Sequence, residues 1–213
     1  VDDLGYSLTI CQELAAYQQP LNLAVIPGQT YSRKCAELIK ASPHQLLIHF
    51  PWYSLGWKAK RKYPIRIDPK MSTENIQAML TRAIESVPNA NGINNHMGST
   101  MSEDPRALGI FFESLGKFKN SKYFLDSKTS RRSKAYPTAR RWQVPAAQNN
   151  AFLDGVQNAE YIQRQFQIAV KQAEATGSVI AICHGSRPVT RRVLKKLMSQ
   201  YNSAVEFVYL PEI

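Results

Sequence analysis

The 213-residue sequence lacks the marks of several protein classes. No apolar run approaches the roughly 18 residues that a membrane-spanning helix needs, and no positively charged leader precedes an apolar stretch. Cysteine is rare: Cys11, Cys35 and Cys183 are odd in number and match no metal-binding spacing. Because each lies among apolar residues, we expect buried thiols, with one disulfide at most.

Acidic residues are scarce as well, with 16 Asp and Glu against 27 Lys and Arg, so the net charge is +11. Residues 58–66 and 128–141 hold much of the excess. Such segments attract polyanions, whether nucleic acid, anionic glycans or lipid head groups. No nucleic-acid-binding motif accompanies the charge. We therefore expect no nucleic-acid partner, and either a solvated basic face or an anionic glycan.

Apolar strands alternate with amphipathic helices along the chain. Strands are predicted at residues 21–26, 45–50, 91–95, 122–125, 147–153, 178–183 and 205–210. Helices are predicted at 7–18, 31–41, 73–87, 105–116, 158–176 and 188–201. Residues 130–141 are predicted to form a basic helix or a partly helical crossover, which Pro137 kinks or breaks. This order predicts an α/β fold with a parallel sheet covered on both faces, either a barrel or a doubly wound sheet.

We expect one domain over residues 1–213. The chain opens at Val1-Asp2-Asp3 without a start methionine, so we expect an upstream segment and a first strand that is cut short. Residues 52–69 interrupt the alternation with a long aromatic and basic loop. Two interpretations of Trp52, Tyr53 and Trp57 stay open: they stack on a sugar, or they cover the fold as ordinary loop packing.

Polar side chains gather where predicted strands end. The residues concerned are Asp2, Asp3, His49, His96, Asp126, Asp154 and His184. In parallel α/β folds the carboxyl edge of the sheet holds ligands and catalytic groups. Because burying so many ionisable groups is costly without pairing or a cation, the pattern favours a metal site.

One aspartate with two neutral imidazoles suits Zn²⁺ with a position left for water, and Fe, Co or Ni also accept these ligands. A second aspartate can act as general base, and another histidine can protonate a leaving group. The set therefore predicts metal-assisted hydrolysis of an amide or an ester.

Six short segments and one single residue carry a family resemblance. They are DDLG at 2–5, LAVIP at 23–27, LLIHFP at 46–51, NNHMGS at 94–99, FLDSKTS at 124–130, FLD at 152–154, and His184. In this order they resemble the divergent polysaccharide deacetylases, a remote branch of the NodB-type carbohydrate esterases. The resemblance implies a deformed (β/α) barrel, a divalent metal at the carboxyl ends of the strands, a glycan substrate, and export to the periplasm or cell envelope.

The resemblance also implies roles for individual residues. Asp2 is the expected catalytic base and His184 the general acid. The metal, zinc first, is expected on Asp3 and His49; Trp52 and Tyr53 follow in place of the usual His-x-x-x-His motif, so His96 is the candidate for the missing ligand. Asp126 is expected to orient a catalytic group. The expected second layer and substrate contacts are Asn94, Asn95, Ser99, Asp154 and Trp52.

Two functions follow from these expectations. The first is a metal-dependent hydrolase that removes N-acetyl or O-acetyl groups from a polysaccharide or a related envelope glycan. The alternative is a catalytically silent module of the same fold that binds an envelope glycan or a protein partner. Glycan binding that is unaffected by Asp2→Asn and by a chelator, with no product released, would favour the silent module.

Overall fold

The structure is a computed structural model that describes residues 1–55, 62–118 and 122–210. Residues 56–61, which include Trp57 and part of the first basic segment, lie outside the described residues. The helices are α1 Leu8–Ala15, α2 Ser32–Lys40, α3 Thr73–Ser86, α4 Pro105–Gly116, α5 Ala135–Arg141, α6 Ala159–Thr176 and α7 Pro188–Tyr201. The strands are β1 Asn22–Val25, β2 Gln45–Trp52, β3 Gly92–Met97, β4 Tyr123–Asp126, β5 Ala146–Gln148, β6 Ala151–Phe152 and β7 Ala181–Ile182.

The strands form a ring in which every neighbouring pair is parallel. One sheet has the order β1-β2-β3-β4-β5, and β6 pairs with β7. The chain passes from one sheet to the other at residues 149 and 150. The Asn149 N–H donates to the backbone carbonyl of Asp126 in β4, whereas the Asn150 N–H donates to the backbone carbonyl of Ile180, just before β7. The first four residues close the ring between β7 and β1 through parallel bridges from Asp2 to His184 and from Leu4 to Val25.

This ring of parallel strands with outer helices confirms the predicted α/β fold and its deformed barrel. The large apolar cluster lies between the sheet and the helices, with Phe50, Phe111 and Phe124 among its buried side chains. A second, small apolar cluster lies inside the barrel. Its members are Ala24, Leu47, Leu125, Ile182 and Leu210. Side chains alternate between these two clusters along each strand, as the period of a strand requires.

Cys11 and Cys35 form a disulfide that joins α1 to α2 across a Cα–Cα distance of 5.7 Å. The expectation of buried thiols is therefore wrong for this pair, and the one disulfide that the count allows is formed. By loop-closure entropy, a crosslink over 24 residues stabilises the fold by roughly 3 kcal/mol. Cys183 is a buried free thiol, and burial raises its pKa to about 12, which keeps it protonated and unreactive.

Three local predictions need correction. Residues 205–210 form no strand: the Val205 N–H bonds back to Tyr201 at the end of α7, and the segment lines a cavity of about 540 Å³ instead of pairing. The predicted strand 147–153 is divided into β5 and β6 by the turn at Asn149. Pro137 does not kink α5, because it lies in the first turn, where the helix needs no N–H donor.

Within the described residues, no helix combines the length and the apolar character required to cross a membrane.

Candidate metal centre

Strand alternation brings one set of polar side chains to the carboxyl end of the barrel, directly above the inner apolar cluster. On β2, Leu47 belongs to that cluster and His49 follows two residues later. On β7, Ile182 belongs to it and His184 follows in the same way. Since side chains two residues apart share a face, the barrel interior changes from apolar to polar at this level.

A β-bulge explains how two consecutive aspartates enter the same site. Val1 lies opposite Leu23, because its amino group bonds to Asn22 and its carbonyl accepts from Ala24. Leu4 lies opposite Val25. Three steps along the first segment thus match two steps along β1, and the extra residue adopts a left-handed backbone at Asp3, with φ 65°. Asp2 and Asp3, which a regular strand would direct to opposite faces, both approach His49.

Three ligand atoms converge in this site, one each from Asp3, His49 and His96. Asp3 Oδ1 lies 3.4 Å from His49 Nε2 and 3.1 Å from His96 Nδ1, and the two nitrogens are 3.0 Å apart. A tetrahedral Zn²⁺ with bonds of about 2.0–2.1 Å separates its ligands by roughly 3.3 Å. The observed separations therefore fit three corners of such a site.

The Asp3 carboxylate supports the same interpretation. Despite its short distances to both imidazoles, its buried Oδ1 has no hydrogen bond of acceptable geometry with any described residue. A buried carboxylate oxygen without a partner is costly. A divalent cation among the three ligand atoms would satisfy it.

Asn94 fixes the orientation of His49. The Asn94 side-chain amide donates to Asp2 Oδ1 at 3.0 Å and to Ser127 Oγ at 3.3 Å. Its carbonyl oxygen therefore accepts from His49 Nδ1, at 2.9 Å. With that proton on Nδ1, the neutral ring directs the Nε2 lone pair toward Asp3 and His96. This is how second-layer partners prepare a histidine to bind a metal.

Tyr63 orients His96 in the same manner, and sequence reasoning missed it. Its hydroxyl lies 2.9 Å from His96 Nε2, and its side chain is buried. This contact leaves His96 Nδ1 to face Asp3 and His49. Tyr63 belongs to the irregular loop after β2, where no periodicity marks individual residues; its type and its place in an aromatic loop were the available signals.

The electrostatics favour one positive charge at this point. Burial opposes ionisation of Asp3, but the close polar contacts with His49 and His96 and the charge on these rings outweigh it and hold the Asp3 pKa far below its usual value. Burial alone would lower the pKa of His49, yet the carboxylates of Asp2 and Asp3 raise it overall. Burial lowers the pKa of His96, helped by the charge on His49. The two adjacent imidazoles can therefore carry one positive charge between them, but not two.

His184 and Asp154 form a separate pair at the same rim. Asp154 Oδ1 accepts from His184 Nδ1 at 2.8 Å, and Oδ2 accepts from the His184 N–H and from Thr190. Burial would raise the pKa of Asp154, but these hydrogen bonds outweigh it and hold the pKa below 3.8. The His184 side chain is 25% exposed, so its Nε2 can reach a ligand while Asp154 stays buried.

Asp126 lies outside this constellation. Its oxygens accept from the backbone of Lys128 and Tyr136, from the Ser133 hydroxyl and from the Gln148 amide. It shares the outer face of β4 with Phe124, because the two are separated by two residues. Through these contacts Asp126 holds the loop before α5 in place. Its role in orienting a catalytic group stays a prediction.

The other residues predicted to contact the substrate or support the site have different positions in the structure. Asn95 accepts from the Ser127 N–H and donates to the Met97 carbonyl, so it fixes the ends of β3 and β4. Ser99 bonds to Ser54 near the mouth. Trp52 is fully buried and stacks on Phe124, so the expectation that it contacts a substrate is corrected: its ring lies in the outer core.

Comparison with known proteins gives a family and several relatives. The family model described as divergent polysaccharide deacetylase matches residues 1–213. The chain is 34% identical over 198 residues to the uncharacterized protein YibQ of Escherichia coli (strain K12), covering 93% of this chain and 60% of the relative. It is 31% identical over 195 residues to an uncharacterized protein of Haemophilus influenzae, covering 92% and 68%. The chain thus spans only part of these longer relatives.

Two solved structures share the fold. The crystal structure of the uncharacterized protein ATU2773 from Agrobacterium tumefaciens C58 has a TM-score of 0.89 at 19% identity, covering 99% of this chain and 85% of that one. The lactam utilization protein from Thermus thermophilus has a TM-score of 0.64 at 13% identity, covering 93% and 92%. At these identities the similarity establishes the fold alone.

Proposed function

The chain belongs to the divergent polysaccharide deacetylase family, and on that premise we propose that it is a metal-dependent hydrolase. Its proposed reaction removes N-acetyl or O-acetyl groups from a polysaccharide or a related glycan of the cell envelope. The observation that carries the proposal is the convergence of Asp3, His49 and His96 at the carboxyl rim, beside a second aspartate and an oriented histidine.

In this proposal Asp3, His49 and His96 hold a divalent ion, with zinc favoured by the ligand types and separations. When bound, the ion supplies Lewis-acid activation of water and of the acyl oxygen. Asp2 is the general base; Asn94 holds its Oδ1, and its Oδ2 lies 3.7 Å from His49 Nε2. His184, oriented by Asp154, delivers a proton from Nε2 to the departing nitrogen or oxygen.

The direct test is acetate release. Zinc-reconstituted protein is incubated with N-acetylated and O-acetylated glycans, and acetate is measured with and without a chelator. We expect release from at least one class, loss of release with chelator, and recovery when zinc is returned. Because Asp2 is the proposed base, Asp2→Asn is expected to lower kcat by about 10²- to 10⁴-fold.

The alternative function predicts a different result for the same samples. Folded, zinc-loaded protein would then bind a glycan without releasing acetate. Binding that persists unchanged in Asp2→Asn and with chelator, again without product, would replace the hydrolase with the silent binding module.

We also propose that the protein is exported. The Cys11–Cys35 disulfide supports this, because structural disulfides are typical of oxidising compartments such as the bacterial periplasm. Cell fractionation tests it, and recovery of the native protein from the cytoplasm alone would contradict it.

The hydroxyl of Tyr63 gives a test of the ligand geometry. Tyr63→Phe removes the contact with His96 Nε2 and leaves the ring in place, so zinc affinity is expected to fall by about 10- to 100-fold. Competition with a chromophoric chelator measures this. Tyr17→Phe is the matched control, because its hydroxyl bonds to the Arg191 carbonyl, outside the metal cluster. Equal affinities in the two variants would show that Tyr63 does not position His96.

A further inference from the structure

The segment from residue 127 to residue 153 contains no acidic residue. It contains six cations, all with exposed side chains: Lys128, Arg131, Arg132, Lys134, Arg140 and Arg141. A run of one sign over this length attracts a polyanion. The structure adds what the sequence does not state, namely where each of these charges lies relative to the candidate metal centre.

The six cations separate into two groups at opposite ends of the barrel. Residues 128–134, here called the rim segment, leave the carboxyl end of β4 and precede α5. Arg140 and Arg141 end α5, which leads down to β5 and therefore lies at the amino ends of the strands. The first group thus lies at the end of the barrel that carries the site, and the second lies at the opposite end.

Hydrogen bonds attach the rim segment to the elements that form the site. The Thr129 hydroxyl donates to the Met97 carbonyl at the end of β3, and the Lys134 N–H donates to the Ser102 carbonyl just beyond it. Met97 directly follows the proposed ligand His96. Within the rim segment, Arg132 pairs with Glu103 at 3.0 Å, whereas Lys128 bonds to the neutral amide of Gln148. The positive charge of the segment is therefore only partly compensated.

A further cation lies beside the site on the loop after β2. Lys62 Nζ lies 5.2 Å from the ring centre of Tyr6 and 5.5 Å from that of Tyr63. Tyr63 in turn contacts His96. The acidic groups of the site are largely buried beside histidines, and a bound divalent ion would offset their charge further. The mouth of the site therefore presents positive charge to a ligand.

Resting on the proposed function, we propose that the substrate is an anionic glycan, one whose sugars carry carboxylate or phosphate groups. Arg131 and Lys134 of the rim segment bind anionic groups next to the acetylated sugar in the site, and Lys62 binds at the neighbouring edge. A glycan is favoured over nucleic acid and membrane because the charge borders the site of proposed acetyl removal.

Two double variants with equal charge change test this. Arg131→Gln/Lys134→Gln alters the rim segment, and Arg140→Gln/Arg141→Gln alters the far end, each removing two positive charges. Dissociation constants of the zinc-loaded protein are measured at low salt for polygalacturonate, a poly(glycerol phosphate) teichoic acid and neutral dextran. Polygalacturonate and the teichoic acid distinguish carboxylate from phosphate recognition.

We expect the wild type to bind at least one anionic polymer in a salt-sensitive manner and to bind dextran far more weakly. Exposed charge contacts of about 0.2–1 kcal/mol each imply that the rim variant binds roughly 2- to 30-fold more weakly. The far-end variant is expected to stay within about twofold of the wild type. Equal losses in both variants, or equal binding of dextran, would overturn the proposal.

Duplex DNA and anionic lipid vesicles complete the set of probes. Tighter binding to either one, weakened selectively by the rim variant, would assign the rim segment to that polyanion and overturn the glycan. Anionic glycan binding without acetate release would keep the assignment of the rim segment to an anionic glycan and remove the hydrolase. Acetate release from a neutral glycan, with KM unchanged in the rim variant, would do the reverse.

Discussion

His96→Ala is expected to abolish stoichiometric zinc binding, and Asp3→Ala and His49→Ala are expected to do the same. Each variant removes one of three ligand atoms that lie 3.0–3.4 Å apart. Loss of a direct ligand should weaken binding by more than the roughly 10- to 100-fold that accompanies loss of a second-layer partner. Elemental analysis of purified, zinc-reconstituted protein should find about one zinc per chain in the wild type and almost none in the variants.

Thermal unfolding gives a second measurement, which does not require the zinc to stay bound during purification. A ligand that binds only the folded state stabilises it by about 2.7 kcal/mol at a concentration of 100 Kd. Zinc should therefore raise the Tm of the wild type and leave the Tm of the three variants unchanged. His44→Asn is the matched control, because it removes the one histidine that precedes β2 at the opposite end of the barrel.

The three variants also separate the ligands from their neighbours. Zinc retained in His96→Ala but lost in Asp3→Ala and His49→Ala would move His96 to the second layer. Zinc retained in all three would place the ion elsewhere. A wild type that takes up no zinc after reconstitution would contradict the metal centre and favour the silent binding module.

The sequence was sufficient to predict the fold and the edge of the sheet that carries the site, because long apolar strands and amphipathic helices have clear periods. Side chains alternate between the two faces of a strand, and this alternation separates the residues of the site from other polar residues at that edge. His49 shares its face with Leu47 of the inner cluster, whereas Asp126 shares its face with Phe124 of the outer core. Strand alternation explains the loop contacts of Asp126.

Other features depend on contacts between distant parts of the chain. The bulge that turns both Asp2 and Asp3 inward arises where the first residues pair with β1 on one side and β7 on the other. Residues 205–210 have the pattern of a strand but do not pair with the sheet. Among the described residues no strand edge is free for them, because the first residues of the chain already close the ring. Tyr63 comes from a loop whose path is set by tertiary packing. None of these features is determined by the local sequence alone.

Asp154→Asn is expected to lower kcat by about 10²- to 10⁴-fold while leaving the zinc content unchanged. The Asp154 carboxylate accepts from His184 Nδ1 and thereby keeps that proton in place, with Nε2 directed toward the substrate. An asparagine can offer its NH₂ group instead and select the wrong tautomer, and it carries no charge to stabilise the protonated ring. Acetate release and elemental analysis on the same samples measure both quantities.

The pH dependence of stability follows from the lowered pKa of Asp154. Its contribution to folding is fully present above the unfolded value of 3.8, and it is lost as the pH falls through the lower folded value. The stability difference between the wild type and Asp154→Asn should therefore shrink as the pH falls below about 4. Urea unfolding at pH 7 and at pH 3 measures this difference.

Asp126→Asn is the control that decides whether Asp126 or Asp154 orients the catalytic histidine. The sequence predicted that Asp126 orients a catalytic group, whereas the structure places Asp154 against His184 and Asp126 against the loop before α5. Asp126→Asn should lower the Tm, because it weakens the four hydrogen bonds that the carboxylate accepts, and should leave the kcat of folded protein within a few-fold. If Asp126→Asn abolished turnover and Asp154→Asn preserved it, the catalytic assignment of the His184 pair would be wrong.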